Sequence, residues 1–554
     1  MTDRPRPDEL LFLPLGGCGE IGMNLNLYGH DGKWLMVDLG ITFGNETTPG
    51  IDVIMPDPSF IVENRADLLG LVLTHAHEDH IGAVPYLWPR LRCPIYATPF
   101  TAAVLRRKLA EVNLLGEAKI TEIPMSGSFA LGPFEIELIS ITHSIPEPNA
   151  VVLRTPLGNI LHTGDWKLDP DPVIGPITDE AALRRLGGEG VLAMVCDSTN
   201  VLVEGSSGSE AEVRLAMDEL IGRYRHRVAV ACFSSNVARI ESVTKAGLAH
   251  GRHIGLVGRS LRRMVEAAQE SGYLQDLPEF ISEEDIGHLP RERVLMICTG
   301  SQGEPRSALA RIARDEHPDV GLEPGDACIF SSRIIPGNEH AIGELHNALI
   351  RRGVEIITEK DHFVHVSGHP ARDELAEMYR WVKPAIAVPV HGELRHLRAH
   401  VALAESCQVR QSVLVENGSI LRLAPGKPEV IGQAASGRLG LDGTQLTTMG
   451  GPALKIRQRM AHNGTAVATI ILDRTGRLQG EPLLTLHGLA AEPEDEVAAK
   501  IEAGAAARQA LAALPVAKRG DDLAVREVVR IAVRRSLNTR YGKKPLTDVH
   551  LVRL

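Results

Sequence analysis

Short apolar runs broken by glycine, aspartate and proline fill the first two hundred residues of the chain. Runs such as LLFLPLGG, NLNLYG and KWLMVDLG are typical of short β-strands that end in turns. Segments with a helical pattern lie between such runs, at Ala102–Glu111 and Glu180–Leu186. Because the strands form meanders and the helices are interleaved, the pattern predicts a layered α/β sandwich rather than a simple βαβ repeat.

The pattern changes near Ser209, where short apolar runs begin to alternate with helical segments. Strand Val228–Cys232 is followed by helix Val237–Ala249, and strand Ile254–Val257 is followed by helix Ser260–Glu270. This alternation is typical of a doubly wound parallel sheet. We therefore predict a second α/β domain over 205–360, inserted between the two parts of the sandwich at 1–204 and 361–427.

The last part of the chain, from residue 428 onward, differs in composition and pattern from the two parts before it. Residues 428–458 are rich in glycine and small polar residues, which predicts a linker. Beyond them, 459–554 shows a hairpin across RTGR, an alanine-rich helix, a basic helix over Asp521–Leu537 and a final strand. The order ββααβ predicts a small α+β domain.

Composition narrows the function classes. The formal net charge of −11 counts against a general nucleic-acid coat protein, but not against an enzyme in which bound metal supplies positive charge. The seven cysteines are scattered and contain no CxxC pair, which argues against a disulfide framework and fits the cytoplasm. We find neither an 18-residue apolar run nor a signal peptide, so no membrane association is predicted.

The strongest local motif is THAHEDHIG at 74–82, directly after an apolar strand. In an extended loop, His75 and His77 point the same way and can share one metal ion, while Asp79 and His80 can hold a second. Imidazole and carboxylate ligands suit both zinc and manganese. An incidental polar loop is the alternative, but four ligating groups in six residues make it the weaker one.

Further ligands are predicted at three later strand ends: His143, Asp165 and His391. A single histidine in such a place is more often structural, so the joint pattern carries the interpretation. A carboxylate such as Asp165 can bridge two ions about 3.5–4 Å apart, an arrangement that activates water for hydrolysis.

These motifs, with Asp38 in MVDLG, resemble the metallo-β-lactamase superfamily. The long insertion before His391 and the run HFVHVSGHP at 362–370 are similar to its nucleic-acid-processing β-CASP branch. TGSQGEP, SSRIIPGNE, PVHGE and the small C-terminal domain extend the resemblance to the ribonuclease J family over essentially the whole chain. The chain departs from the pattern at Ala76, where glycine is common; this is not a ligand position.

The resemblance implies a fold and a set of site residues. The fold is an αββα metallo-β-lactamase sandwich with an inserted β-CASP domain. His75, His77 and His143 would hold one metal ion, Asp79, His80 and His391 a second, and Asp165 would bridge them. Asp38 and Asp197 would support these ligands from behind. The expected catalytic residues are Asp79, Asp165 and His369, and the expected substrate-binding residues are His365, Val366, Ser367, Gly368 and His369.

Other polar features allow two interpretations each. Ser234, Ser235 and Asn236 precede a helix, where they form either an anion site for substrate or an ordinary helix cap. The arginines of GRSLRRM (259, 262 and 263) and the basic helix at 521–537 face either RNA or solvent and neighbouring elements.

The resemblance implies a two-metal ribonuclease, with zinc as the first choice and manganese as the alternative. It would act on single-stranded RNA as a 5′-to-3′ exonuclease that prefers 5′-monophosphate ends, with additional endonuclease activity, in mRNA decay and rRNA maturation. A homodimer or homotetramer in the cytoplasm is expected, with an RNA-degradation complex as a further partner. The alternative is another hydrolase of the same superfamily, acting on DNA or a small acyl substrate.

Overall fold

The computed structural model describes residues 4–554, and its chain divides into two compact units. The first comprises Met1–Thr42 and Met55–Arg438, and the second comprises Phe43–Ile54 and Leu439–Leu554. The first unit contains both the sandwich and the inserted parallel sheet.

Two mixed sheets form the sandwich. The eight-stranded sheet has the order Glu429–Gln433, Ser419–Ala424, Leu10–Gly16, Leu25–His30, Lys33–Val37, Leu68–Val72, Ile95–Ala97 and Ile120–Glu122. The seven-stranded sheet has the order Ser128–Leu131, Phe134–Ser140, Asn149–Thr155, Gly158–His162, Ala193–Asp197, Ile386–Val390 and Gln411–Ser412. A two-stranded pair joins Cys18–Gly19 to Gly392–Glu393 in parallel.

The main core lies between the two sheets. Buried side chains of the first sheet, such as Phe12 and Tyr28, pack with those of the second, such as Val151 and Val195. A second apolar cluster covers the outer face of the seven-stranded sheet with helical residues such as Leu183. The helices of this part are Ser59–Glu63, Glu78–Ile81, Val84–Leu91, Pro99–Glu111, Glu180–Glu189, Arg372–Val382 and Leu394–Ser406, with a 3₁₀ turn at Arg65–Asp67.

The inserted domain is a five-stranded, wholly parallel sheet. Its order is His253–Val257, Val294–Cys298, Val228–Ala231, Ala327–Phe330 and Glu355–Ile357. Its helices are Glu210–Arg223, Val237–Ala249, Arg259–Glu270, Glu283–His288, Ala308–Ala313 and Glu339–Arg351, with a 3₁₀ turn at Arg291–Arg293. The three central strands are buried along their whole length, as their continuous apolar sequence requires. The predicted fold class is confirmed.

The second unit contains a three-stranded sheet. Thr465–Leu472 is central, antiparallel to Leu483–His487 and parallel to Leu546–Arg553. Helices Pro493–Ala513 and Asp522–Tyr541 cover the face that carries Ala468 and Ile470. The 3₁₀ turn Val516–Lys518 lies between these two helices. The predicted hairpin, two helices and final strand are all present.

The stretch 428–458, predicted as a linker, is instead largely structured. It contains strand Glu429–Gln433, the hairpin of Arg438–Asp442 with Gln445–Thr448, and the start of helix Pro452–Asn463. Glu429–Gln433 is ordered by pairing with Ser419–Ala424 at the edge of the large sheet, a contact that its polar sequence does not announce. The short strands Thr42–Phe43 and Val53–Pro56 are also present.

No helix within residues 4–554 is both long enough and apolar enough to cross a membrane.

Candidate metal centre

The histidines and aspartates of the site lie at the ends of strands or shortly after them. The loop with His75 and His77 follows strand Leu68–Val72, and His80 lies on the short helix Glu78–Ile81. His143, Asp165 and His391 follow strands of the seven-stranded sheet, and Asp197 is the last residue of another. Most of these side chains are buried, so the sandwich fixes them before any ligand binds.

His75, His77 and His143 form one group whose ring nitrogens converge. His77 Nδ1 lies 3.1 Å from His75 Nε2 and 3.0 Å from His143 Nε2. His143 Nδ1 donates to the carbonyl oxygen of Gly368, which can only accept. The neutral ring of His143 therefore presents an unprotonated Nε2 to the group.

The other two rings are held in a similar way. His75 Nδ1 lies 3.0 Å from Thr74 Oγ1, and His77 Nε2 lies 3.1 Å from Ser235 Oγ. Burial lowers the pKa of His77 to about 4, and burial together with the neighbouring imidazoles holds the pKa of His75 and His143 well below the usual value. Three neutral imidazoles with converging lone pairs are the donor set that zinc prefers.

Asp79, His80, Asp165 and His391 form a second group of potential ligands. His80 Nε2 lies 3.1 Å from Asp165 Oδ2 and 3.5 Å from Asp79 Oδ2, and His391 Nε2 lies 3.2 Å from Asp79 Oδ2. Asp165 Oδ2 is also 4.0 Å from His75 Nε2, so this carboxylate borders both groups.

Charge in the second group differs from that in the first. Burial alone would lower the pKa of His80 and His391, but the carboxylates of Asp165 and Asp79 outweigh it and hold both values well above normal. The same imidazoles keep the pKa of Asp165 well below its usual range despite burial. The carboxylates thus favour positive charge close to them. A divalent ion can supply that charge, and the imidazole protons are then released.

A further observation also indicates that the second group fits a metal ion. The buried His391 Nε2 faces the second group and lies 3.2 Å from Asp79 Oδ2, but it makes no well-aligned hydrogen bond with this carboxylate or with any other group among residues 4–554. Unpaired buried polar atoms are uncommon and call for an explanation. His391 also has a left-handed backbone (φ 51°), held by a hydrogen bond from its N–H to the Gly17 carbonyl. The fold therefore stores strain to place this ring.

Asp38 and Asp197 lie directly behind these groups. The Asp38 carboxylate accepts hydrogen bonds from Thr74 N, Thr74 Oγ1 and His80 Nδ1 at 2.7–2.8 Å. Asp197 Oδ2 accepts from His369 Nδ1 at 2.8 Å, and His369 Nδ1 is 3.9 Å from Asp165 Oδ2. Burial would lower the pKa of His369, but Asp197 raises it above the usual value.

The segment 365–369 connects the metal centre with a cavity of about 240 Å³. Gly368 contacts His143, and His369 contacts Asp197, whereas His365, Val366 and Ser367 line the cavity. A Cβ on Gly368 would lie 2.8 Å from the His143 ring, so only glycine fits. His365 Nδ1 is buried and has no hydrogen-bond partner in the described chain.

The three residues of the SSN turn at 234–236 have different surroundings in the structure. Ser235 lies against His77, as described above. Asn236 is buried; its side chain accepts from Arg239 N and lies 3.3 Å from Glu210 Oε1. These contacts favour the helix-cap alternative for Asn236, and its role as a substrate contact stays a prediction. Ser234 makes no side-chain hydrogen bond among residues 4–554, and its role as a substrate contact stays a prediction.

The basic segments also have structural partners. Arg262 pairs with Glu283 and Arg263 with Glu111, which ties helix Arg259–Glu270 to its neighbours. On helix Asp522–Tyr541, the apolar side chains from Val525 to Leu537 enter the core of the second unit. Arg262 and Arg263 thus have partners within the chain, while contact of the basic helix with RNA stays a prediction.

Sequence reasoning missed residues that line the cavity from distant segments. These include Asn200, Arg333 and Phe363, and the wall also carries the carboxylate of Glu359. Arg333 makes no ion pair and no side-chain hydrogen bond among residues 4–554. Its place in SSRIIPGNE was a visible signal, but nothing local to that motif indicates the cavity.

Four family descriptions match consecutive parts of the chain. "Metallo-beta-lactamase superfamily" matches residues 23–190, and "Ribonuclease J, beta-CASP domain" matches residues 225–349. "Zn-dependent metallo-hydrolase RNA specificity domain" matches 353–411, and "Ribonuclease J C-terminal domain" matches 452–554. Fold and site thus define a metal-dependent hydrolase of the metallo-β-lactamase superfamily with a β-CASP insertion.

Curated relatives narrow the class to one family. The chain is 45% identical to ribonuclease J of Sinorhizobium meliloti over 556 aligned positions, which cover 100% of this chain and 99% of the relative. It is 38% identical to ribonuclease J of Mycolicibacterium smegmatis, with 98% and 96% covered. The chain belongs to the ribonuclease J family, and the predictions of a metal-dependent ribonuclease and of that family are confirmed.

A solved structure also shares the fold. A protein of unknown function from Enterococcus faecalis V583 matches with a TM-score of 0.52 at 14% identity, over 75% of this chain and 100% of that one. At this identity the likeness concerns the fold alone.

Proposed function

We propose that this ribonuclease removes nucleotides from the 5′ end of single-stranded RNA, prefers a 5′ monophosphate, and also cuts internally. The carrying observation is the segment 365–369, which borders the cavity on one side and the metal centre on the other. At most about 7 Å of extended backbone separates Ser367 from His369. An RNA end anchored in the cavity would therefore place a nearby phosphodiester at the metal centre.

The cavity wall offers donors for a terminal phosphate. Arg333 brings an unpaired guanidinium, the group that matches phosphate geometry best. Ser367 Oγ accepts from Asn200 Nδ2 and His369 N, so its own O–H is free to donate. His365 adds the buried, unpartnered Nδ1. With a volume of about 240 Å³, the cavity suits a terminal group better than a stretch of chain.

We propose two divalent ions per subunit, with zinc as the first choice and manganese as the alternative. His75, His77 and His143 would hold one ion, Asp79, His80 and His391 the other, and Asp165 would bridge them. When bound, the ions supply Lewis acidity and offset the negative charge of the phosphodiester. The chain itself excludes bulk water, because the ligand rings are largely buried.

His369 is the proposed proton donor to the leaving oxygen. Asp197 fixes its Nδ1 at 2.8 Å, which orients the ring as a carboxylate–histidine pair does in other hydrolytic sites. Asp197 in turn is held by Thr199, whose N and Oγ1 both donate to its Oδ1. Asp38 orients His80 from behind the second group.

The wider biological setting follows from the family resemblance. It includes mRNA decay and rRNA maturation in the cytoplasm, a homodimer or homotetramer, and participation in an RNA-degradation complex. The domain division at 1–204, 205–360, 361–427 and 459–554 also stays a prediction.

The test compares one uniformly labelled single-stranded RNA with a 5′ monophosphate and with a 5′ triphosphate, in zinc or manganese. We expect mononucleotides, released faster from the monophosphate, and no release with chelator or with His77→Ala. Arg333→Ala should reduce the preference for the monophosphate while internal cleavage continues. Internal fragments that do not depend on the 5′ group, with no release of mononucleotides, would contradict the exonuclease proposal. Cleavage of matched DNA alone would contradict the choice of RNA.

A further inference from the structure

An exposed phenylalanine stands on the wall of the cavity that borders the metal centre. Of all the aromatic side chains in residues 4–554, only Phe43 and Phe363 are exposed, at 65% and 48%. A single exposed apolar residue is ordinary in itself. Phe363 differs because it lines a cavity that also holds a free guanidinium and an unpartnered histidine nitrogen.

The backbone beside Phe363 is fixed from below. The next residue, Val364, is fully buried, and its carbonyl oxygen accepts from Arg239 Nη1 at 2.9 Å and from Ser331 Oγ at 2.8 Å. Arg239 is itself fully buried and paired with Glu210. The Val364 N–H also donates to the His362 carbonyl oxygen at 2.8 Å, which closes a tight turn centred on Phe363, and the Phe363 side chain is exposed at this turn.

The ring is supported on one side by a residue that leaves room for it. A Cβ on Gly208 would lie 2.8 Å from Val366 Cγ1 and 3.8 Å from Phe363 Cζ. Gly208 also has a left-handed backbone (φ 86°), which favours glycine there. The tip of the ring therefore lies beside the backbone of Gly208, where no side chain stands between them.

The cavity combines two kinds of recognition. Arg333, Ser367 and His365 suit an anion, but an anion alone needs no aromatic neighbour. A planar, uncharged group next to the anion would use Phe363. A nucleotide has both parts, and stacking of a base on an aromatic ring does not depend on which base is present. Sequence-tolerant stacking is what an enzyme that removes successive nucleotides requires.

We propose that Phe363 is the stacking platform for the base of the 5′-terminal nucleotide. The inference rests on the proposed function, in which the cavity receives the 5′ phosphate. Phe363 holds the terminal base while Arg333 and Ser367 hold its phosphate, and the two contacts together set where the chain enters the metal centre. Phe363 is a substrate-binding residue and takes no part in proton transfer.

The direct test uses fluorescence of 2-aminopurine, which stacking quenches. The full-length, metal-loaded protein is mixed with a 5′-phosphorylated RNA in which 2-aminopurine is the first base and the first linkages are phosphorothioates. We expect quenching at position one and much less when the probe is moved to position eight. Phe363→Ala should abolish the first-position quench and weaken binding about 5- to 150-fold. Phe363→Tyr should retain both.

Kinetics and a matched control separate stacking from a general loss of structure. With ordinary RNA, Phe363→Ala should raise KM while kcat at saturating RNA is kept. Leu215→Ala removes another exposed apolar side chain, on helix Glu210–Arg223, and should change neither quench nor KM. A Phe363→Ala protein that still quenches the first base, or a wild-type protein that never does, would overturn the stacking proposal.

The same measurements distinguish a failure of the stacking proposal from a failure of the proposed 5′-phosphate cavity. If the wild-type protein binds 5′-hydroxyl RNA as tightly as 5′-phosphorylated RNA, the proposed phosphate cavity is wrong, whatever Phe363 does. If the phosphate preference is intact and Phe363→Ala behaves as wild type, only the stacking platform is wrong.

Discussion

Replacing Asp38 by asparagine should weaken metal binding without removing any ligand. The Asp38 carboxylate accepts three hydrogen bonds, two from Thr74 and one from His80 Nδ1. An amide keeps the shape but turns one acceptor into a donor, so at least one of these donors faces another donor. His80 then loses the contact that fixes its tautomer and its orientation.

The magnitude follows from what outer hydrogen bonds contribute to metal sites. Loss of such a partner typically costs about 10- to 100-fold in metal affinity, or about 1.4–2.7 kcal/mol. The same change also leaves a buried donor unpaired, at about 1–3 kcal/mol of unfolding free energy. A lower melting temperature alone therefore does not show that the metal site is affected.

The assay is competition for zinc between the protein and a chromophoric chelator. Asp67→Asn is the matched control, because Asp67 is also buried but pairs with Lys33 and Arg4, away from the site. Asp67→Asn should lower stability and leave zinc affinity unchanged. An Asp38→Asn protein with zinc affinity within about twofold of wild type would refute the reasoning.

Two other perturbations give distinct readouts. Gly368→Ala places a Cβ 2.8 Å from the His143 ring and should lower the zinc content, measured by mass spectrometry, because the ring of one proposed ligand must shift; full zinc content would contradict this reasoning. Glu147→Gln tests a buried carboxyl whose pKa burial raises above the usual value. The folded state holds this proton more tightly than the unfolded chain, so its contribution to stability falls as pH rises from about 4.5 through the raised value. The glutamine variant should lose that part of the pH dependence in urea unfolding, and an unchanged profile would rule it out.

Much of the fold could be predicted from local sequence. Helix Val237–Ala249 has the predicted bounds, because Asn236 caps it. Continuous apolar sequence defines strand Val228–Ala231, which ends one residue before the predicted end. Hairpin Arg438–Asp442 with Gln445–Thr448 was missed, since its few apolar residues are separated by glycine and threonine. Strand Glu429–Gln433 owes its order to a partner strand, which no local pattern reveals.

The candidate site, too, could be predicted only in part from the sequence. The potential metal ligands were predictable because each follows an apolar strand, and carboxyl ends of neighbouring strands meet at one edge. The cavity was not, because Asn200, Arg333 and Phe363 come from three separate segments. Asn236 illustrates a second limit: its sequence fitted an anion site and a helix cap equally, and its hydrogen bonds and position beside Glu210 favour the cap.

The most direct test of the account titrates metal-free protein with zinc while RNA cleavage and bound metal per subunit are measured together. We predict that cleavage is absent without metal and rises to its maximum as two ions per subunit bind, and that His77→Ala fails to reach this occupancy and activity. Cleavage that persists without metal, or full activity of His77→Ala, would contradict the two-metal centre formed by these histidines and aspartates.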